Sequence, residues 1–92
     1  MRQNKKVNKG GNEMAENMKI SIEYCTAWGY LPKAVGLTET LLRTYKNKVA
    51  SLELIPSSGG VFEVKLNGEL IFSKKELGRF PENDEVLAKI KA

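Results

Sequence analysis

From Lys19 to Tyr24 the string KISIEY alternates, with Ile20, Ile22 and Tyr24 on one face and Lys19, Ser21 and Glu23 on the other. A period of two is the mark of a strand with one buried face. After CTAWG, the spacing changes to three and four: Leu31, Val35, Thr38, Leu41 or Leu42, and Tyr45 predict a helix of about four turns, with Pro32 suited to its first turn. It should end near YKNK, where lysines complement the C-terminal dipole. VASLELI then supplies Val49, Leu52, Leu54 and Ile55 as a second strand, stopped by Pro56 and the flexible SSGG. VFEVKL places Phe62, Val64 and Leu66 on one face of a third strand, and ELIFSK returns as a fourth. Between them Asn67-Gly68 is a two-residue hairpin signal, because a type I′ turn needs positive φ at both central positions. The segment from about Pro81 to Lys91 carries Val86, Leu87 and Ile90 as the apolar stripe of a short helix.

The predicted order is therefore strand, helix, strand, strand, strand, helix. A helical crossover makes the first two strands parallel and the connection right-handed, whereas the Asn-Gly turn makes the last pair antiparallel. This is an α/β chain of the two-layer α+β kind: a mixed four-stranded sheet with two helices. Phe62 and Val64 belong to its core.

Composition narrows the function classes. At 92 residues, 41% hydrophobic and 28% charged, the chain has material for one compact domain but not for two. That domain is assigned to residues 18–92, because residues 1–17 are rich in Lys, Asn and Gly and poor in branched apolar side chains. They are expected to form a disordered basic tail. The tail holds Arg2, Lys5, Lys6 and Lys9 against Glu13 and Glu16, so half of the net charge of +4 lies outside the domain. A nucleic-acid face needs clustered cations with stacking or base-reading groups, and none is expected here. No apolar run reaches the length of a membrane span and the tail lacks the apolar region of an export signal, so the expectation is a cytoplasmic protein without membrane attachment. It is expected to be a monomer.

With no histidine, a Ser-His or Cys-His hydrolase has no base, and one cysteine cannot anchor a structural metal. Neither metal nor bound cofactor is expected. Cys25 is the residue left for chemistry. It falls where the first strand gives way to the first helix, and the free N–H groups at a helix N-terminus favour a thiolate over a thiol. The bland alternative is a buried cysteine acting as a small apolar filler. Were the thiol at the surface, oxidation could also cross-link two chains.

A strand-helix-strand unit followed by a hairpin and a helix is the thioredoxin-like arrangement, whose redox group lies at the turn that Cys25 occupies. YCTAWGY, followed by SGGVFEV, NGELIFSKKE and GRFPE, resembles the selenoprotein W-related family of the Rdx type, grouped with selenoproteins T and H. The resemblance spans about Met18 to Ala92. Its hallmark is a cysteine, two intervening residues, then selenocysteine or cysteine, with a glycine-rich step into a strand reading G-x-F-E-V. Cys25, Thr26, Ala27 and Trp28 stand in the four motif places, and Gly60 to Val64 match the second signature.

The family implies thiol or selenol-disulfide exchange, reset by glutathione or a thioredoxin-type donor. On that pattern the residue at position 28 attacks and Cys25 resolves. Trp28 departs from the pattern, and indole forms neither a disulfide nor a selenenylsulfide. Three readings fit: a UGA selenocysteine codon, one base from UGG, expressed as tryptophan; a real loss that leaves a monothiol or non-catalytic chain; or a tryptophan that is merely an apolar lid. The chain as written is expected to be inactive or restricted to monothiol exchange. The competing function is a binding module that recognises a redox-sensitive protein partner through the same loop. Thr26, Ala27, Gly29 and Tyr30 are the expected contact residues around the turn, with Ser58, Gly59 and Gly60 running beside it. Lys74 and Lys75 read as a solvated hairpin end or as an attraction for anionic glutathione.

Overall fold

The computed structural model describes residues 18–91, so the proposed tail lies outside the described residues. Four strands, β1 (Met18–Cys25), β2 (Val49–Ser57), β3 (Phe62–Leu66) and β4 (Glu69–Ser73), form one sheet in the order β2-β1-β3-β4. The chain crosses from β1 to β2 through α1 (Tyr30–Tyr45) and a 3-10 turn, Lys46–Lys48. As the crossover requires, β1 and β2 are parallel, while β3 is antiparallel to β1 and to β4. After β4 come α2 (Lys74–Leu77) and α3 (Asn83–Lys91). The thioredoxin-like topology expected from the sequence is the one observed.

Among the described residues there are three α-helices where the pattern predicted two. The additional one, α2, occupies KKEL, which had read as the solvated end of the hairpin. It forms because Ser73 Oγ caps it, accepting from the Glu76 N–H at 3.4 Å, and Gly78 in the left-handed conformation closes it. A capping signal this short is easily overlooked.

One face of the sheet carries the helices. Ile20, Ile22 and Tyr24 of β1, Phe62 and Val64 of β3, and Phe72 of β4 are buried there with Tyr30, Ala34, Leu37 and Leu41 of α1 and Val86 of α3. The opposite face is more open, with Lys19 and Lys65 exposed and Ser21, Glu23 and Glu63 half-buried. Two hydrogen bonds join the helices: Asn83 Nδ2 donates to Thr40 Oγ1 at 3.0 Å, and Tyr45 Oη to the Leu87 carbonyl at 3.5 Å.

The helix stripe runs one residue away from the expected phase. Leu31, Val35 and Leu42 are largely exposed, and the inward face is Tyr30, Ala34, Leu37 and Leu41. Ala34 is too small to draw attention as a core residue, yet with no accessible surface it lets the helix approach the sheet closely. In β2, Val49 and Leu52 pack on the core, but Leu54 and Ile55 are each 36% exposed because the strand forms an edge of the sheet. The Asn-Gly hairpin has the expected positive φ at both residues, 53° and 85°. Asn67 also ties the turn to the central strand: its N–H donates to the Lys19 carbonyl at 2.7 Å, and its Oδ1 accepts from the Lys19 N–H at 2.9 Å.

Candidate functional site

β1 ends at Cys25, and the loop that follows is held from both sides. The Cys25 N–H donates to the Val61 carbonyl at 2.9 Å, and the Thr26 N–H donates to the Ser57 carbonyl at 3.0 Å. The ends of β2 and the approach to β3 thus anchor the turn. Backbone bonds of this kind place the two residues independently of their side chains.

The exposure within the four-residue turn is sharply unequal. Cys25 is 2% exposed and Trp28 is 79% exposed, with Thr26 and Ala27 also exposed between them. The surface thiol that could cross-link two chains is not what the structure holds: Cys25 is buried. Trp28 adopts a left-handed backbone, φ 59°, followed by Gly29 at φ 76°. For a bulky residue that conformation costs on the order of 1 kcal/mol. Gly29 is the N-cap of α1, with no side-chain cap, and no acidic residue of the helix's own first turn offsets its positive end.

The glycine step lies where the sequence placed it, against the turn. Gly59 and Gly60 have φ 79° and 74°, and a Cβ built on Gly60 would lie 3.5 Å from Tyr30 Oη and 3.9 Å from Trp28 Cζ3. Ser58 and Gly59 are exposed beside it. Tyr30 and Trp28 take opposite places at the turn. Tyr30 is buried while Trp28 projects, their ring centroids 6.4 Å apart.

Phe80 belongs to the site, although in the sequence it stands out only as part of the GRFPE signature. Its ring meets Tyr30 edge-on with centroids 4.8 Å apart and Phe62 at 5.3 Å. Two cations converge on it: Lys33 Nζ at 5.3 Å and Lys74 Nζ at 5.5 Å from the ring centroid, the latter also 5.6 Å from that of Tyr30. Such contacts contribute about 0.5–1 kcal/mol each at exposed sites. Lys74 therefore stands at the edge of the turn that follows β1, while Lys75 is exposed. No periodicity could have found Phe80, since it lies between α2 and α3 in irregular chain.

Beyond Phe80 a cavity of about 390 Å³ opens between the first turns of α1 and the segment entering α3. Just past it, Arg79 donates to both carboxylate oxygens of Glu85 at 2.7 and 2.6 Å, and the Glu82 N–H donates to the same group at 2.8 Å. These hydrogen bonds, the arginine's first, hold the Glu85 carboxyl down at about 2.

Comparison with known proteins agrees with this architecture. Residues 19–92 match the model of the Rdx family. The chain is 35% identical over 74 residues to selenoprotein W of Danio rerio, covering 79% of this chain and 86% of that protein. It is 29% identical over 82 residues to migration and invasion enhancer 1 of Bos taurus, covering 89% and 70% respectively. Among solved structures, a selenoprotein W-related protein from Vibrio cholerae superposes with a TM-score of 0.78 at 29% identity, over 82% of this chain and 94% of that one. A protein from Bordetella parapertussis gives 0.77 at 30% identity, over 80% and 94%. With a buried cysteine at the end of the first strand, the G-x-F-E-V strand beside it and these relatives, the chain belongs to the Rdx family.

Proposed function

We propose that this fold is built for thiol or selenol-disulfide exchange of the selenoprotein W type, with the residue at position 28 as attacking group and Cys25 as resolving thiol. The observation that carries the reading is the exposure difference between the two positions. An attacking group has to meet a substrate disulfide in solvent, and a resolving thiol has only to reach its neighbour.

With sulfur or selenium at position 28, its anion attacks one sulfur of R–S–S–R′, forming a mixed disulfide and releasing R′S⁻. Cys25 then loses its proton and attacks the atom at position 28, which breaks the mixed bond and releases RS⁻. Two electrons pass to the substrate and the protein is left with an internal bond between positions 25 and 28. Two molecules of glutathione, or one thioredoxin-type dithiol, reverse that bond and leave as a disulfide.

In the chain as written Trp28 supplies no attacking atom, so the cycle cannot begin at that position. Cys25 alone remains, limited to a slow mixed disulfide such as glutathionylation. The test is gain of function: Trp28→Cys should reduce a model disulfide in the presence of glutathione, whereas the parent chain should not. Equal, negligible rates in the two folded proteins would overturn the reading.

A second reading has its own observation. Trp28 projects into solvent in a strained backbone conformation, and exposed tryptophans are favoured anchors of protein interfaces. On that reading the chain is a binding module for a redox-sensitive partner. UGG at codon 28 in the source gene favours it, and UGA with a selenocysteine-insertion hairpin favours the enzyme.

A further inference from the structure

Two features meet along one side of the molecule, and neither belongs to the turn after β1. The first is on α1. Leu31, Val35, Thr38 and Leu42 recur at the spacing of a helix-to-helix seam, and the three apolar members leave 47, 49 and 43% of their surfaces exposed. Thr40 marks the opposite flank: at about 100° per residue it stands about 180° from Leu31. It accepts from Asn83 of α3, and α3 packs on β4. The seam therefore faces the other end of the sheet, which is β2. The second feature is β2 itself, nine residues with no strand on its outer side among the described residues. The Thr26 N–H donates to the Ser57 carbonyl, so Ser57 turns its backbone groups toward β1. Alternation turns those of Ile55 and Glu53 the same way and leaves those of Leu54 and Leu52 facing outward. Pro56, which has no N–H, falls in the outward set, where no ladder bond is lost. Leu54 is partly exposed on the helix-bearing face beside Ile22, and it carries the seam onto the strand.

We propose that this side of the molecule is a dimer interface, on which a second copy of the chain pairs β2 edge to edge and α1 flank to flank about a two-fold axis perpendicular to the sheet. Geometry admits both contacts at once. Strands lie about 4.8 Å apart, so with the axis between the two β2 strands each β2 stands about 2.4 Å from it and each β1 about 7.2 Å. Because α1 packs on both strands, it lies about 5 Å from the axis and about 10 Å from its copy, the packing distance of two helices. Area favours the combination. A 16-residue helix flank measures about 24 by 10 Å, well short of the roughly 800 Å² per partner that a stable interface buries. With the nine-residue strand edge beneath it, the face is about 30 Å long and about 20 Å deep, which approaches that size. The open face suits the same axis. With Leu52 on the axis, exposed Ser51 lies opposite the copy's exposed Glu53, a hydroxyl donor against a carboxylate, and does so twice. The seam itself carries no charge to desolvate, since the Glu39–Arg43 ion pair stands beside it in solvent. As β1 is parallel to β2 and the paired edges run antiparallel, the two turns after β1 lie at opposite ends of the dimer.

Sedimentation equilibrium of the full chain, with a reductant present to exclude a Cys25 cross-link, should give a mass that rises from one chain toward two across the micromolar to millimolar range. Val35→Glu on the helix and Leu54→Lys on the strand each put a charge into the seam. Each should weaken dimerisation about tenfold or more, because an unpaired charge resists burial. Leu77→Glu, also exposed but remote on α2, should leave it unchanged. All three positions are exposed in the single chain, so the variants should fold, which circular dichroism checks. Amide hydrogen exchange locates the contact. Leu52 and Leu54 should be protected only at high concentration, whereas Glu53 and Ile55, bonded to β1, should be protected at every concentration. A chain that stays monomeric throughout, the state expected from the sequence, would overturn the proposal. So would a dimer that Val35→Glu and Leu54→Lys leave intact, or one in which the Leu52 and Leu54 amides exchange as freely as in the monomer.

Discussion

The edge of the Tyr30 ring meets that of Phe80 with centroids 4.8 Å apart and planes inclined at 71°, joining the first turn of α1 to the irregular chain before α3. Phe62 makes a second such contact from β3. Replacing Phe80 by Ala removes both, along with a half-buried ring that packs on the core. The expected cost is about 3 kcal/mol, measured as a lower urea midpoint with an unchanged slope. Tyr30→Phe keeps both ring contacts and should cost under about 1 kcal/mol. Equal losses in the two variants would mean that the ring contacts do not hold this edge together.

Two glycines should answer to alanine in opposite ways. Gly60 has φ 74° beside Tyr30 Oη, so Gly60→Ala forces a side chain into a left-handed backbone and should destabilise by about 1 kcal/mol. Gly36 sits within α1 with an ordinary helical backbone and nothing within 4 Å of an added Cβ. Gly36→Ala should stabilise by about 0.5–1 kcal/mol through helix propensity and a less flexible unfolded chain. Thermal melts of both variants check the pair, and stabilisation by Gly60→Ala would contradict the backbone described at the turn.

The Arg79–Glu85 pair sets an acid response. Because hydrogen bonds hold the Glu85 carboxyl at about 2 in the folded chain, below its range when unfolded, its contribution is complete above the ordinary carboxylate range. It is lost as pH falls from about 4.5 toward 2. Glu85→Gln should therefore melt below the parent chain at pH 5, and the gap should close as pH falls toward 2. Both side chains are partly exposed, so salt should narrow the gap too. A gap independent of pH would contradict this origin.

Burial of Cys25 makes a kinetic prediction. At 2% exposure the thiol should react with an aromatic disulfide reagent far more slowly than free cysteine does, and the rate should rise with urea as local opening exposes it. Prompt, urea-independent labelling would show that the thiol is accessible in the native state.

Much of this fold was legible because its signals are local and independent. Alternation in KISIEY and VFEVKL, the Asn-Gly turn and the helical crossover together specify strand directions and pairing, and each is observed. The phase of α1 was not legible, since Ala34 and Tyr30 carry weak signals next to Leu31 and Val35, and only the sheet decides which face turns inward. Nor was α2, whose cues are a serine cap at the end of a strand and a closing glycine four residues of helix later. At the site, Cys25 and Gly60 were found from their place at element ends, and Trp28 from a motif. Phe80 and Lys33 were not, because their roles arise from tertiary approach between segments distant in sequence.

On the proposed function, positions 25 and 28 are the two halves of one exchange centre. It is tested most directly by oxidising Trp28→Cys with a glutathione redox buffer and following the product by mass spectrometry and peptide mapping. The expected product is a bond between Cys25 and the new thiol, formed within one chain and reopened by reduced glutathione, with a mixed disulfide at position 28 appearing first. A stable mixed disulfide at position 28 that Cys25 never resolves, in a folded protein, would contradict it.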